Sequence, residues 1–372
     1  MLGMEVNDLK ARLLAGEDLA LVDIRPEEAF ADWRIPGTVN MPIIEAMRAN
    51  DPQPLLDRLD ELPKDRPIVF ICNRGASSMK SALIVQPHGF TACSLNGGMI
   101  EWSMVHSEAA LPVEENSPGV AIQIRRNGKG CLSYLMGAKG EAIVVDPCLD
   151  CGVYQSIAKR EGLKITTILE THVHADHFSR ARTLATETGA RFLLPQNDRV
   201  TFKYEPIHDG DEIAVGGWTI RALATPGHTG ESMSYLCNES ILLSGDTLFT
   251  DAVGRPDLEK GDAGAEDGAR ILHNTLHERM LPLPDETLIC PAHTGLTIDL
   301  EGPPICARLG DVRSTISLLD ESEGEFVAAI LDRLGPKPPS FDEIIALNEG
   351  KEELEGRNPA AIEVGPNRCA VC

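Results

Sequence analysis

The stretch Ile168-Leu169-Glu170-Thr171-His172-Val173-His174-Ala175-Asp176-His177 limits what this chain can fold into more than any other. Three histidines and an aspartate fall directly after a β-branched, apolar run that reads as a strand, so four metal-binding side chains leave one strand end together. Any one of these histidines, taken alone, could cap a helix or face solvent. The whole His-x-His-x-Asp-His spacing favours a metal site, because the rest of a ligand set follows at similar junctions. His228 lies in Ala224-Thr-Pro-Gly-His-Thr-Gly230, Asp246 follows the run Ile241-Leu-Leu, and His293 ends Leu288-Ile-Cys-Pro-Ala-His293. Small-residue loops of this kind let a side chain project from a sheet rim into a shared groove. Asp246 alone would serve equally well as a helix cap before Thr247. His208, His273 and His277 lack such a setting and read as surface or helix residues.

At 372 residues the chain has room for two or three domains. Its 57 acidic against 34 basic residues, a net charge of -23, repel phosphate backbones and anionic lipid heads, which argues against nucleic-acid and membrane-surface binding. Met1 to Arg12 carries Glu5 and Asp8 and no apolar core, and no apolar run approaches the roughly 20 residues of a membrane helix, so the chain reads as cytoplasmic. Ten cysteines in so long a chain are too dilute for a disulfide scaffold and read mostly as free thiols. The pairs Cys148/Cys151 and Cys369/Cys372 are too far apart for a compact zinc ribbon.

In chain order, Leu19 to Asp23 reads as a buried strand, and Pro26 with Glu27 and Glu28 opens a helix. Pro67 to Ile71 is a continuous apolar run of the kind buried on both faces of a parallel sheet. It empties into Cys72-Asn-Arg-Gly-Ala-Ser-Ser78, with a helix expected from Ser78 to about Gln86. Strands alternating with helices predict a doubly wound sheet whose ligands gather beyond the carboxyl ends of its strands. Cys72 then sits at a loop mouth, beside a helix N-terminus and Arg74, a setting that favours thiolate; a buried cysteine ending a strand is the plainer alternative.

Leu21-Val-Asp-Ile-Arg25, Ile35-Pro-Gly-Thr-Val-Asn-Met-Pro42, the Cys72 loop and Leu95-Asn-Gly-Gly-Met-Ile-Glu-Trp102 resemble, in order and spacing, a single rhodanese domain. The resemblance implies that Cys72 carries a persulfide sulfur between a donor and an acceptor. Ser77 stands where that family often has arginine, with Arg74 as a replacement charge, and Arg34 stands where it usually has histidine. Asp23 and Arg25 match a pair that looks structural.

Ser107 to Pro118, polar and acidic with two prolines, reads as the connection between units, giving a domain over 1–107, a linker over 108–118 and a second domain over 119–372. From Val120 the pattern changes to alternating strands, Val120 to Arg125, Cys131 to Met136 and Ala142 to Val145, before a helix near Val153 to Glu161. The strand followed by His-x-His-x-Asp-His, then Thr-Pro-Gly-His-Thr, then Ser-Gly-Asp-Thr-Leu-Phe, then Pro-Ala-His resembles the metallo-β-lactamase superfamily, which implies an αββα sandwich with metals at one edge. The seven ligands His172, His174, Asp176, His177, His228, Asp246 and His293 suffice for two zinc ions bridged by Asp246, as in a thioester hydrolase of the glyoxalase II type.

Asp246 to Leu258, with Gly254-Arg255-Pro-Asp257, and the tail segments Lys337 to Ile345 and Gly365-Pro-Asn-Arg-Cys369 resemble persulfide dioxygenases. That resemblance implies one Fe(II) per chain held by His172, His228 and Asp246, with His174, Asp176, His177 and His293 orienting the ligands and holding water. It also implies oxidation of glutathione persulfide, or a similar small persulfide, by O2 to sulfite and thiol. Sulfur would exchange with sulfite and thiosulfate at Cys72, and the relatives imply a homodimer. Arg255 is a candidate for pairing a substrate carboxylate, with a structural salt bridge as the alternative. Val253 stands where relatives commonly have cysteine. Cys369 reads either as a thiol near the substrate channel or as an inert packed one. A sulfur-relay module without catalysis is the remaining reading.

Overall fold

The computed structural model describes residues 2–113, 117–295 and 298–371. The first half is a parallel five-stranded sheet made of β1 (Gly3–Met4), β2 (Ala20–Asp23), β3 (Val39–Asn40), β4 (Ile68–Ile71) and β5 (Ala92–Leu95), in the order β1-β5-β4-β2-β3. Helices cover both faces, and β2 and β4 are buried along their whole length, as the apolar runs Ala20–Val22 and Ile68–Ile71 require, with Asp23 at the end of β2 buried against Arg25. The helix expected from Ser78 spans Ala76–Val85.

The second half is two sheets packed face to face. One contains β6 (Ser107–Ala110), β7 (Val120–Arg126), β8 (Cys131–Ala138), β9 (Glu141–Val145), β10 (Lys164–Leu169), β11 (Arg191–Pro195) and β12 (Glu205–Ile207), hydrogen-bonded in sequence order. The other runs β13 (Glu212–Val215), β14 (Trp218–Ala224), β15 (Met233–Cys237), β16 (Ile241–Gly245), β18 (Leu288–Pro291) and β19 (Ala307–Arg308). Leu132, Tyr134 and Val145 of the first sheet meet Trp218, Ile220, Tyr235 and Leu243 of the second in one core. Helices Cys151–Arg160 and Ala181–Thr188 cover one outer face, and Ala265–Thr275 and Glu323–Arg333 the other, completing an αββα sandwich. Among the described residues no helix is long and apolar enough to cross a membrane.

The stretch expected as a linker over 108–118 begins differently. Ser107–Ala110 pairs antiparallel with β7, and Leu111 is buried. Composition misled because an edge strand buries only one side and tolerates polar residues on the other; residues 114–116 lie outside the described ones. The halves are joined by hydrogen bonds as well as by chain. Arg126, fully buried in β7, donates through Nε to the Ser103 carbonyl (2.7 Å) and through a terminal nitrogen to Ser103 Oγ (3.2 Å). Its other terminal nitrogen meets buried Glu363 at 2.5 Å. Near the far end of the chain, β20 (Ala370–Val371) returns to pair with β17 (Val253–Gly254).

Candidate metal centre

All seven expected ligands arrive at one edge of the sandwich, and all are buried. The local reasons are short. β10 ends at Leu169 and releases the histidine loop; β16 ends in Gly245, whose φ of +56° turns the chain so that Asp246 points inward; β18 delivers His293. Gly254 is small of necessity, since a Cβ there would lie 2.0 Å from the Asp246 carbonyl oxygen and 3.1 Å from His228 Cβ.

The seven divide into sets. His172 Nε2 and His228 Nε2 approach Asp246 Oδ2 at 3.7 and 3.6 Å, and none of these three buried atoms has a hydrogen-bond partner among the described residues. Atoms so placed mark the corners of a coordination shell, because leaving them unpaired costs about 1–3 kcal/mol each unless an ion satisfies them. Their other ends are fixed. His228 Nδ1 lies 2.8 Å from the Arg255 carbonyl and His172 Nδ1 2.9 Å from Thr171 Oγ1, the outer bonds that hold a metal-binding imidazole in place. Burial drives the pKa of both rings down, for His172 with help from His174, so both keep a free lone pair at neutral pH. Burial alone would raise the Asp246 carboxyl, but the His293, His172 and His228 rings hold it well below the usual range.

A second set surrounds Asp176. His293 Nε2 is 3.0 Å from Asp176 Oδ2, and its Nδ1 is 2.6 Å from Asp246 Oδ1. His177 Nδ1 is 3.0 Å from Asp176 Oδ1, and Asn367 Nδ2 donates to Oδ2 at 3.2 Å. Cys131 Sγ stands 3.4 Å from the same oxygen, its thiol pushed up to about 12 by burial. Burial opposes charging His293, but the two carboxylates outweigh it and raise its pKa well above the ordinary value. His174 belongs to a third set: its Nε2 sits between Glu170 Oε2 (2.8 Å) and Asp146 Oδ1 (3.2 Å). Asp146 holds that place through a left-handed backbone (φ +52°) and two bonds from Thr171.

Cys131, Glu170, Asp146, Asn367 and Glu363 were not singled out as site residues from sequence. Cys131 has no informative spacing to the histidines. Glu170, directly before Thr171-His172, and Asn367, inside the quoted Gly365-Pro-Asn-Arg-Cys369 segment, carried the available signal.

Arg255 requires a correction. All five of its N–H donors are used: two meet Asp257 (2.7 and 2.9 Å), and the others meet the carbonyls of Gly335, Pro336 and Arg368. Nothing remains for a substrate carboxylate, and Arg255 instead ties three backbone segments to the ligand loop. Cys369 is fully buried yet within reach of Asp246 and His293, so it is both packed and near the centre. Burial raises its thiol well above the ordinary value.

In the first half, Cys72 lies beyond the end of β4. Gly75 N–H donates to its Sγ at 3.1 Å, and Ser78 Oγ is 3.2 Å away. An open cleft of about 550 Å³ in front of it is lined by Arg48, Arg74 and Lys80. Arg48 pairs with Glu45 and Lys80 bonds Asn50, whereas Arg74 is exposed and has no ion-pair partner among the described residues. Asp23 and Arg25 form a buried, doubly bonded pair away from this cleft. Cys148 and Cys151 flank the start of a helix as free thiols, and Cys372 lies outside the described residues.

An αββα sandwich with histidine and aspartate loops at one edge defines the metallo-β-lactamase class. The family model for the metallo-beta-lactamase superfamily matches residues 126–293, and that for rhodanese-like domains matches 5–104. The Bos taurus mitochondrial persulfide dioxygenase ETHE1 is 31% identical over 234 residues, 59% of this chain and 84% of the relative. A Nitrosococcus oceani hydroxyacylglutathione hydrolase is 34% identical over 191 residues, 47% of this chain and 68% of the relative. The crystal structure of ETHE1 from Myxococcus xanthus superposes with a TM-score of 0.55 at 26% identity, covering 62% of this chain and 98% of that one. The chain belongs to the ETHE1-like family of metallo-β-lactamase-fold enzymes and carries a rhodanese-like domain at its front.

Proposed function

We propose that this chain is an Fe(II)-dependent persulfide dioxygenase fused to a sulfurtransferase, with His172, His228 and Asp246 holding one iron. The observation that supports it most is the convergence of His172 Nε2, His228 Nε2 and Asp246 Oδ2, three buried atoms without hydrogen-bond partners among the described residues. Two imidazoles and a carboxylate suit ferrous iron, which supplies open positions and electrons for reaction of O2 with a sulfur ligand when bound. The chain's own residues set the surroundings. Arg255 and Thr171 orient the two imidazoles, the Asp176–His293 pair fixes the free side of the Asp246 carboxylate, and burial keeps bulk water out.

The substrate we assign is glutathione persulfide or a similar small persulfide. Its outer sulfur gains three oxygen atoms, two from O2 and one from water, and leaves as sulfite; the thiol is recovered and two protons are released. At Cys72 the thiolate attacks the outer sulfur of thiosulfate, forming the cysteine persulfide and releasing sulfite, with Gly75 N–H on the sulfur and Arg74 as the unpaired cation at the cleft. Fusion raises the effective concentration of each site's product at the other. A cytoplasmic location and a homodimer belong to the same proposal.

The hydrolase relatives and the Cys131, Asp176, His177 and His293 group, whose ligand atoms lie within 4.8 Å of one another, favour a second reading: a dizinc thioester hydrolase. Metal analysis of protein purified without added metal, paired with an oxygen-electrode trace, separates the two. About one iron per chain and persulfide-dependent oxygen uptake are expected. Two zinc ions and cleavage of S-lactoylglutathione without oxygen uptake would replace this reading with the hydrolase.

A further inference from the structure

Between the two halves lies a cavity of about 410 Å³, within the size range of small-molecule sites. Trp33, Arg34 and Trp102 line it from the rhodanese half, and Lys129, Thr294 and Asn367 from the other. We propose that this cavity binds the carboxylate-bearing end of a low-molecular-weight thiol, so that the rhodanese half forms a wall of the dioxygenase's substrate site. The sulfur chemistry of the occupant rests on the function proposed above; the binding of a carboxylate does not.

Charge is the first argument. In a chain of net charge -23, the cavity is lined by two cations with no carboxylate within 4.0 Å among the described residues. Among the described residues Arg34 reaches two carbonyls of its own helical turn, at 3.4 Å, and lies 5.1 Å over the Phe30 ring. Lys129 is buried and, among the described residues, gives a single bond, to the Glu363 carbonyl at 2.7 Å, leaving two of its three donors uncommitted there. The acid at the wall, Asp32, is already taken by Arg368. The counter-charge of Lys129, the Glu363 carboxylate, is already shared by Arg126 and Arg180, and a buried ammonium so placed favours a further anion.

Position is the second. Asn367, part of the lining, donates to Asp176; Asp176 meets His293; and His293 meets Asp246. Three side chains therefore connect the cavity to a proposed metal ligand. Arg34 also gains a role here that it lacks at Cys72, whose cleft it does not line. It stands where rhodanese domains usually have histidine, and the substitution places a permanent charge on the cavity wall.

The test uses the full chain and intrinsic fluorescence, since two of its three tryptophans line the cavity and the third, Trp218, is in the core. S-methylglutathione, which cannot be oxidised as a persulfide, is titrated against its diethyl ester. Saturable quenching by the acid, weakened roughly tenfold for the ester and for Arg34→Glu and largely retained in Arg34→Lys, is expected. Arg34 is exposed, so the variants keep the fold, and circular dichroism checks this. Absence of saturable quenching in the unmodified protein, or identical curves for acid, ester and Arg34→Glu, overturns the proposal. Binding without oxygen uptake leaves it standing and removes only the dioxygenase reading; oxygen uptake with an Arg34→Glu KM equal to the parent's does the reverse.

Discussion

Cys72 takes its hydrogen bonds from its own loop, from Gly75 and Ser78, whereas the metal centre draws side chains from positions as far apart as Cys131 and Cys369. The first site is a short local structure opening on a wide cleft; the second is buried and closed by residues from both ends of its domain. A local site is separable, so its loss should leave the rest intact. A centre assembled from distant segments shares its integrity with the fold, and its outer supports matter almost as much as its ligands.

Four substitutions can break or sharpen that contrast. Cys72→Ala should abolish thiosulfate:thiol sulfur transfer while persulfide-dependent oxygen uptake stays within about twofold; loss of both activities would show that the sites are not separable. Asp246→Ala should lower bound iron and oxygen uptake by at least about 100-fold, read by metal analysis and the oxygen electrode, with sulfur transfer unchanged. Arg255→Ala leaves buried Asp257 with only Lys337, at 3.8 Å, among the described residues and frees three carbonyls, so unfolding monitored in urea should show a loss of about 3 kcal/mol. An unchanged denaturation midpoint would return Arg255 to the list of substrate contacts. Arg74→Ala, on the exposed side of the comparison, should change stability by less than about 0.5 kcal/mol and raise the KM for thiosulfate several-fold.

The same contrast explains what could be read from the sequence. The metal edge was legible because His172 to His177 is compact and because His228, Asp246 and His293 each follow a strand in a small-residue loop. The division among those ligands was not, since spacing does not reveal that Glu170 and Asp146 hold His174 or that His293 bridges two carboxylates. The rhodanese sheet was legible from the unbroken apolar run of β4 and the short buried strand before Ile24. Ser107–Ala110 was not, because an edge strand needs little hydrophobicity. Arg255 shows the limit most plainly: its neighbours along the chain do not reveal that carbonyls some eighty and more residues later consume its donors.

Glu363 accepts from Arg126 and from Arg180, and it also receives the amide of Phe178, the residue after His177. Asn367 and the strand at Ala370–Val371 then close over Asp176 and Val253. During synthesis the front half has all its strands in hand early, so it can fold while later segments are still being made. The candidate metal pocket has no such head start. Until residues 363–371 emerge, its histidines stand on an unfinished rim, and metal captured before that moment is held by a site whose last braces do not yet exist.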